Sequence, residues 1–146
     1  MNVAVLAAAR DWIGTPYLHQ CSVRGQGADC LGLLRGVWRE VLGAEPEGMP
    51  AYTPDWSETS GLERMWEGAA RHLLAAPPDL EAVGEVVLFR MRRSAVAKHV
   101  AILGDLSLGY QTIIHAYSGA GVVETPLSDA WARRIVAQFR FPDKRG

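Results

Sequence analysis

The stretch "KHVAILGDLSLGYQTIIHAYS", residues 98–118, reads as two β-rich runs around a glycine-punctuated turn. With Gly104 to Tyr110 as the turn, Leu103 falls opposite Gln111 and His99 opposite His115. Both histidines then share one face, with β-carbons about 4.5–5.5 Å apart. A slip of one residue would send them to opposite faces. The reverse face carries Val100, Ile102, Ile114 and Ala116, an apolar set suited to a core. Small Ala101 beside His99 leaves room for an approaching group.

Outward from this hairpin, "GEVVLFRM" before it and "GVVETP" after it are further short strands. A short helix around Ser128 to Arg134 and a last strand, "IVAQFRF", complete the C-terminal part. The N-terminal part is helical. Asn2 caps a helix to about Ile13, where Gly14 and Pro16 stop it. "GTPYLHQCSVRGQGAD" reads as an ordered loop. Asp29 caps a second helix from Cys30 to about Leu42, whose apolar residues Leu33, Leu34, Val37, Trp38, Val41 and Leu42 recur at helical spacing until Gly43. After the proline-rich "AEPEGMPAYTPDW", a third helix is expected from Ser60, with Glu63 as capping-box partner, to before Pro77. Helices first and strands later predict an α+β domain spanning 1–146, with N-terminal helices packed on a central antiparallel sheet.

Composition narrows the function classes. The 146 residues carry a formal net charge of −1, which argues against a nucleic-acid partner. No run approaches the roughly 18–20 apolar residues of a membrane span. "MNVAVLAAARDW" has an apolar run but no basic start and continues into a patterned helix, so it reads as mature sequence without an export signal. The two cysteines, Cys21 and Cys30, are then expected as reduced thiols in a protein made in the cytoplasm.

The chemistry centres on "GADCLGLLRG", residues 27–36. A thiol at a helix N-terminus meets the positive end of the helix dipole and unpaired amides, which favour thiolate and can donate to a developing oxyanion. Gly32 and Gly36 each cost about 1 kcal/mol against alanine in a helix interior. They make sense if this face presses closely on another backbone, and the strands bearing His99 and His115 are the expected neighbours. Cys30 as nucleophile, His99 as general base and His115 as the residue orienting that base follow the logic of covalent acyl transfer.

The blocks "WIGTPYLH", "DCLGLLRGVWR", "GEVVLF", "KHVAIL" and "IIHA", in this order, resemble the NlpC/p60 superfamily of papain-like cysteine peptidases, from about Ala8 to Phe141. The resemblance implies the catalytic residues Cys30, His99 and His115. It puts Tyr17 near the nucleophile, and Asp29 and His19 are taken with it as substrate-binding positions. It further implies cleavage of a peptidoglycan stem peptide, typically at the γ-D-glutamyl–diamino acid bond, with no cofactor. The wording "TPYLHQ…SVRG…DCLGLLRGVWRE" is similar to members carried by phage tails and gene-transfer-agent particles, which implies tail proteins as partners and action in the periplasm or cell wall. Leu31 stands where the family commonly has serine, "GEVV" replaces a more frequent Gly-Asp version, and Cys21 has no family counterpart.

Other readings exist. His19, Cys21, Cys30 and the later histidines lack the paired short motifs of a zinc site, so no metal is expected. A structural tail component could keep the fold for docking, with Tyr52 and Trp56 as contacts. An amidase or acyltransferase could use the same triad. Arg90, Arg92, Arg93 and Lys98 form a basic run before His99 able to attract substrate carboxylates.

Overall fold

Asn2 accepts the Val5 amide at 3.1 Å and so starts helix α1, Val3–Asp11. The computed structural model describes residues 1–46 and 63–143. The 14–29 loop is ordered and carries a small hairpin, β1 (Ser22–Val23) with β2 (Gly27–Ala28). Helix α2, Cys30–Val41, begins on Asp29, whose carboxylate accepts the Gly32 amide at 2.7 Å. Ser60, Tyr52 and Trp56 lie outside the described residues. Helix α3 runs Arg64–His72. Glu63 stands at the N-cap of α3 without a side-chain cap hydrogen bond, and its carboxylate accepts the Ala97 amide at 2.9 Å.

The remaining elements are β3 (Leu74–Ala75), β4 (Val86–Arg90), β5 (Ala97–Leu103), β6 (Thr112–Tyr117), β7 (Gly121–Pro126), the one-turn helix α4 (Asp129–Ala132) and β8 (Ile135–Arg140). The sheet is antiparallel throughout, in the order β3-β8-β4-β5-β6-β7. Helices α1 to α3 cover one face through a core that includes Val5, Trp12, Leu33, Val37, Met65, Val100, Ile102, Ile114 and Ala116. The expected α+β architecture is the one observed.

The register of the central hairpin differs from the expected one by two residues. Ile102 pairs with Ile114 and Leu103 with Ile113, and the Gly104 amide donates to the Thr112 carbonyl at 2.8 Å. Thr112 is held there because its hydroxyl donates to Glu124 at 2.7 Å, and Arg10 of α1 grips Glu124 and Asp105. Gln111 turns outward, donating to the Leu80 carbonyl at 2.6 Å. A two-residue slip preserves the face. His99 and His115 therefore stay on one side but no longer stand directly opposite each other. The two imidazoles meet edge to face, with centroids 5.1 Å apart and planes 71° apart.

The glycines of α2 also have different neighbours from those expected. A β-carbon on Gly32 would strike the Cys21 carbonyl oxygen, and one on Gly36 the Trp12 indole. They admit the 14–29 loop and α1, not the histidine strands, because those are what lie against that face of the helix.

Candidate active site

Cys30 is the first residue of α2 and is 7% exposed. Its position is fixed by the loop before it. The Ala28 amide donates to the Pro16 carbonyl at 2.9 Å and the Leu18 amide to the Ala28 carbonyl at 3.2 Å, so Tyr17 is laid alongside Ala28. Asp29 is buried, and besides the Gly32 amide it accepts the Gln20 amide at 2.7 Å. Gln20 sits in the left-handed region with φ 64°, a conformation that this anchor holds in place. His19 Nδ1 lies 3.7 Å from the Asp29 carboxylate. Asp29 thus fastens the loop to the helix start as well as bordering the cleft.

The observed β5–β6 ladder covers Ile102 and Leu103 with their partners, although both strands run on beyond it. The backbone amides of Val100, Leu31 and Cys30 itself face the thiol of Cys30. These donors favour thiolate, as a helix start should. They are outweighed: burial, with the charge of Asp29 added, pushes the thiol up to about 12. The expected resting thiolate is therefore replaced by a neutral thiol. Both cysteines are free thiols.

His99 and His115 are joined by a hydrogen bond, His99 Nε2 to His115 Nδ1 at 2.8 Å. His115 Nε2 in turn meets the Thr125 hydroxyl of β7 at 3.0 Å. Burial lowers His99 to about 3, with His115 adding to the effect, and burial lowers His115 to about 4. Both rings rest neutral. Two tautomer assignments satisfy these contacts, and the one that leaves His99 a free base has His99 Nε2–H donate to His115 Nδ1 and His115 Nε2–H donate to Thr125 Oγ1. In that assignment the remaining ring nitrogen of His99, Nδ1, is an acceptor.

The histidine face is not open beside Ala101. A second small core of Val87, Phe89, Ala101, Leu103 and Ile113 fills it, with Trp131 packed against it. The Trp131 ring lies 5.4 Å from that of His99 and 5.2 Å from that of His115, and Phe89 lies 5.7 Å from His99. This aromatic cover removes water from the dyad and explains its low basicity.

A cleft of about 140 Å³ opens between Tyr17, His19, Asp29 and Cys30 on one side and His99, Met91, Lys98, Ala116, Tyr117 and Ser118 on the other. Five of the six residues singled out from sequence line it. His115 stands behind His99. Burial raises Tyr17, with Cys30 and Asp29 contributing, which keeps its hydroxyl protonated. Thr125, Trp131 and Tyr117 were not foreseen. Tyr117 carried a signal, being two residues from His115 on the same strand face. Thr125 and Trp131 carried none, since each reaches the dyad through the β6–β7 register or the placement of α4. Among the described residues, no group of three or more His, Cys, Asp or Glu is placed to hold a metal, and no helix is long and apolar enough to cross a membrane.

Solved structures superpose on the chain, two of them described as NlpC/p60 proteins, and the likeness is one of fold. One is the NlpC/p60 domain of the peptidoglycan hydrolase SagA, with a TM-score of 0.58 and 22% identity, covering 97% of this chain and 99% of that one. Another is a Staphylococcus aureus subsp. aureus Mu50 protein described as similar to a lipoprotein of the NLP/P60 family, with a TM-score of 0.60 and 16% identity. The match covers 96% of this chain but only 41% of the staphylococcal one. A third, Ly7917, has a TM-score of 0.58 and 14% identity over 96% of this chain and 62% of its own. No family model and no curated protein matches the chain.

Proposed function

We propose that this chain is a cysteine peptidase acting on the stem peptides of peptidoglycan. The observation that carries the reading is the chain from His99 to His115 to Thr125, at 2.8 and 3.0 Å, behind a histidine that shares its cleft with Cys30. The likeness to structures described as NlpC/p60 and peptidoglycan hydrolase supports it.

Because thiol and imidazole both rest neutral, proton transfer accompanies attack. Cys30 Sγ bonds to the carbonyl carbon while its proton passes to His99 Nδ1. The charge that appears on His99 is met by His115 Nδ1, which accepts the Nε2–H. The oxyanion gains from amides at the start of α2. Collapse of the intermediate breaks the C–N bond, and His99 returns the proton to the leaving amine. Water then hydrolyses the thioester, deprotonated by the same histidine. Substrate entry displaces water from the cleft, and Tyr17 and His19 border the entering chain. The scissile bond in this proposal is γ-D-glutamyl–diamino acid, and delivery to the wall by a phage-like tail particle rests on the likeness of "TPYLHQ…SVRG…DCLGLLRGVWRE".

Digestion of purified peptidoglycan with wild type and Cys30→Ala tests the enzyme, with mass spectrometry of the fragments reading the bond. New amino termini are expected from wild type alone. Equal release by both proteins would end the proposal. One observation favours a second reading, a structural component that keeps the fold: the thiol is buried and neutral at rest. Slow alkylation at mildly acidic pH fits both readings, so turnover is what separates them.

A further inference from the structure

Beside the cleft lies a second, larger depression of about 870 Å³, bordered by Arg90, Arg92, Arg93, Arg133 and Arg134. They come from two places in the chain, the end of β4 with its following turn and the residues after α4. Five arginines border one depression in a protein whose formal net charge is −1. Arg134 spends its side chain on the carbonyls of Ala130 and Met91. Arg90, Arg93 and Arg133 have no carboxylate partner among the described residues. Like charges are held together at a cost, and guanidinium is the group suited to bidentate capture of planar oxyanions. Met91 lines both depressions, so a chain leaving the catalytic cleft at that side enters the arginine groove directly.

We propose that this groove is an extended subsite that grips ionised carboxylates of the peptide substrate outside the catalytic cleft. The inference rests on the peptidase reading. The chemistry agrees with it: a γ-linked glutamyl residue keeps its α-carboxyl free, and neighbouring stems on one polymer repeat that charge. The groove exceeds the catalytic cleft several-fold and holds more than one such group. Polymeric substrate with free carboxyls is preferred over the same polymer with its carboxyls amidated.

The test uses Cys30→Ala and soluble peptidoglycan fragments, either native or with their carboxyls converted to amides, in a binding titration at low salt. Native fragments should bind about tenfold more tightly. Arg93→Gln with Arg133→Gln should abolish that difference, whereas Arg93→Lys with Arg133→Lys should retain part of it, circular dichroism reporting intact folding. In the Cys30 enzyme the glutamine pair should raise KM and leave kcat unchanged. Equal binding of native and amidated fragments overturns the proposal, as does tight binding of polyphosphate with none of the native fragments. If wild type cleaves no peptidoglycan while the native-to-amide difference persists, the hydrolase reading fails and the carboxylate groove stands.

Discussion

Replacing Thr125 by valine removes one oxygen and leaves the volume of β7 almost unchanged, which makes it a sharp probe of the dyad. In the folded protein His115 Nε2 lies 3.0 Å from the Thr125 hydroxyl, and His115 is 2% exposed. Without that acceptor the ring must either bury an unpaired N–H, at about 1–3 kcal/mol, or move its proton to Nδ1. The second choice reverses the 2.8 Å hydrogen bond with His99, whose proton then sits on Nδ1, where it no longer accepts. Either way the orientation of His99 Nδ1 is lost, and the stabilisation of the imidazolium with it. A loss of this size in the transition state lowers kcat by about tenfold to a hundredfold at nearly constant KM. Thr125→Ser should restore most of the rate, and His115→Ala should lower it further. Steady-state kinetics on peptidoglycan fragments reads the rate. Nitrogen-15 chemical shifts of the two rings read the tautomers without any need for turnover. Wild-type kcat together with unchanged shifts in Thr125→Val would refute the three-residue relay.

Two further outcomes concern stability. Gly36→Ala gains up to about 1 kcal/mol of helix propensity but drives a methyl into the Trp12 ring, and a net loss of about 1–2 kcal/mol is expected from chemical denaturation; a stabilised variant would contradict the packing. His99 and His115 are held below the ordinary histidine value of 6.5, so the unfolded chain takes up protons first as pH falls. Their stabilising contribution is complete above pH 6.5 and declines below it, by up to about 1.4 kcal/mol per pH unit for each ring. Denaturation series between pH 7 and 5 should show this slope, roughly halved in His115→Gln, and a flat profile would mean that the rings are not buried as neutral bases.

The cleft also shows why the resting thiol is not a thiolate. The helix dipole and three amides favour the anion, but all act locally on a sulfur that the rest of the fold has buried. Desolvation is a property of everything packed around the group, and here it wins. The same holds for the histidines, whose low basicity comes largely from burial under a cover that includes Trp131, a residue far from both in the chain.

By itself, the sequence determined the features that depend on a few neighbouring residues. Asn2 and Asp29 cap helices because their carbonyl or carboxylate oxygens reach amides three residues on. Alternation along residues 98–118 assigned Val100, Ile102, Ile114 and Ala116 to the core and both histidines to the other face, since side chains in a strand alternate and the two-residue shift of register keeps the face. Cys30, His99 and Tyr17 were legible as neighbours because residue type and order carried the resemblance. Only the tertiary structure decided the rest. The hairpin register was set by Thr112 bonding Glu124, which Arg10 of a distant helix holds. Gly32 and Gly36 took their meaning from Cys21 and Trp12, and the glycine spacing alone names no partner. Thr125, Trp131 and the five-arginine groove are each assembled from segments far apart in the chain. Such contacts are chosen by packing and desolvation over the whole molecule, and no local pattern in the sequence encodes them.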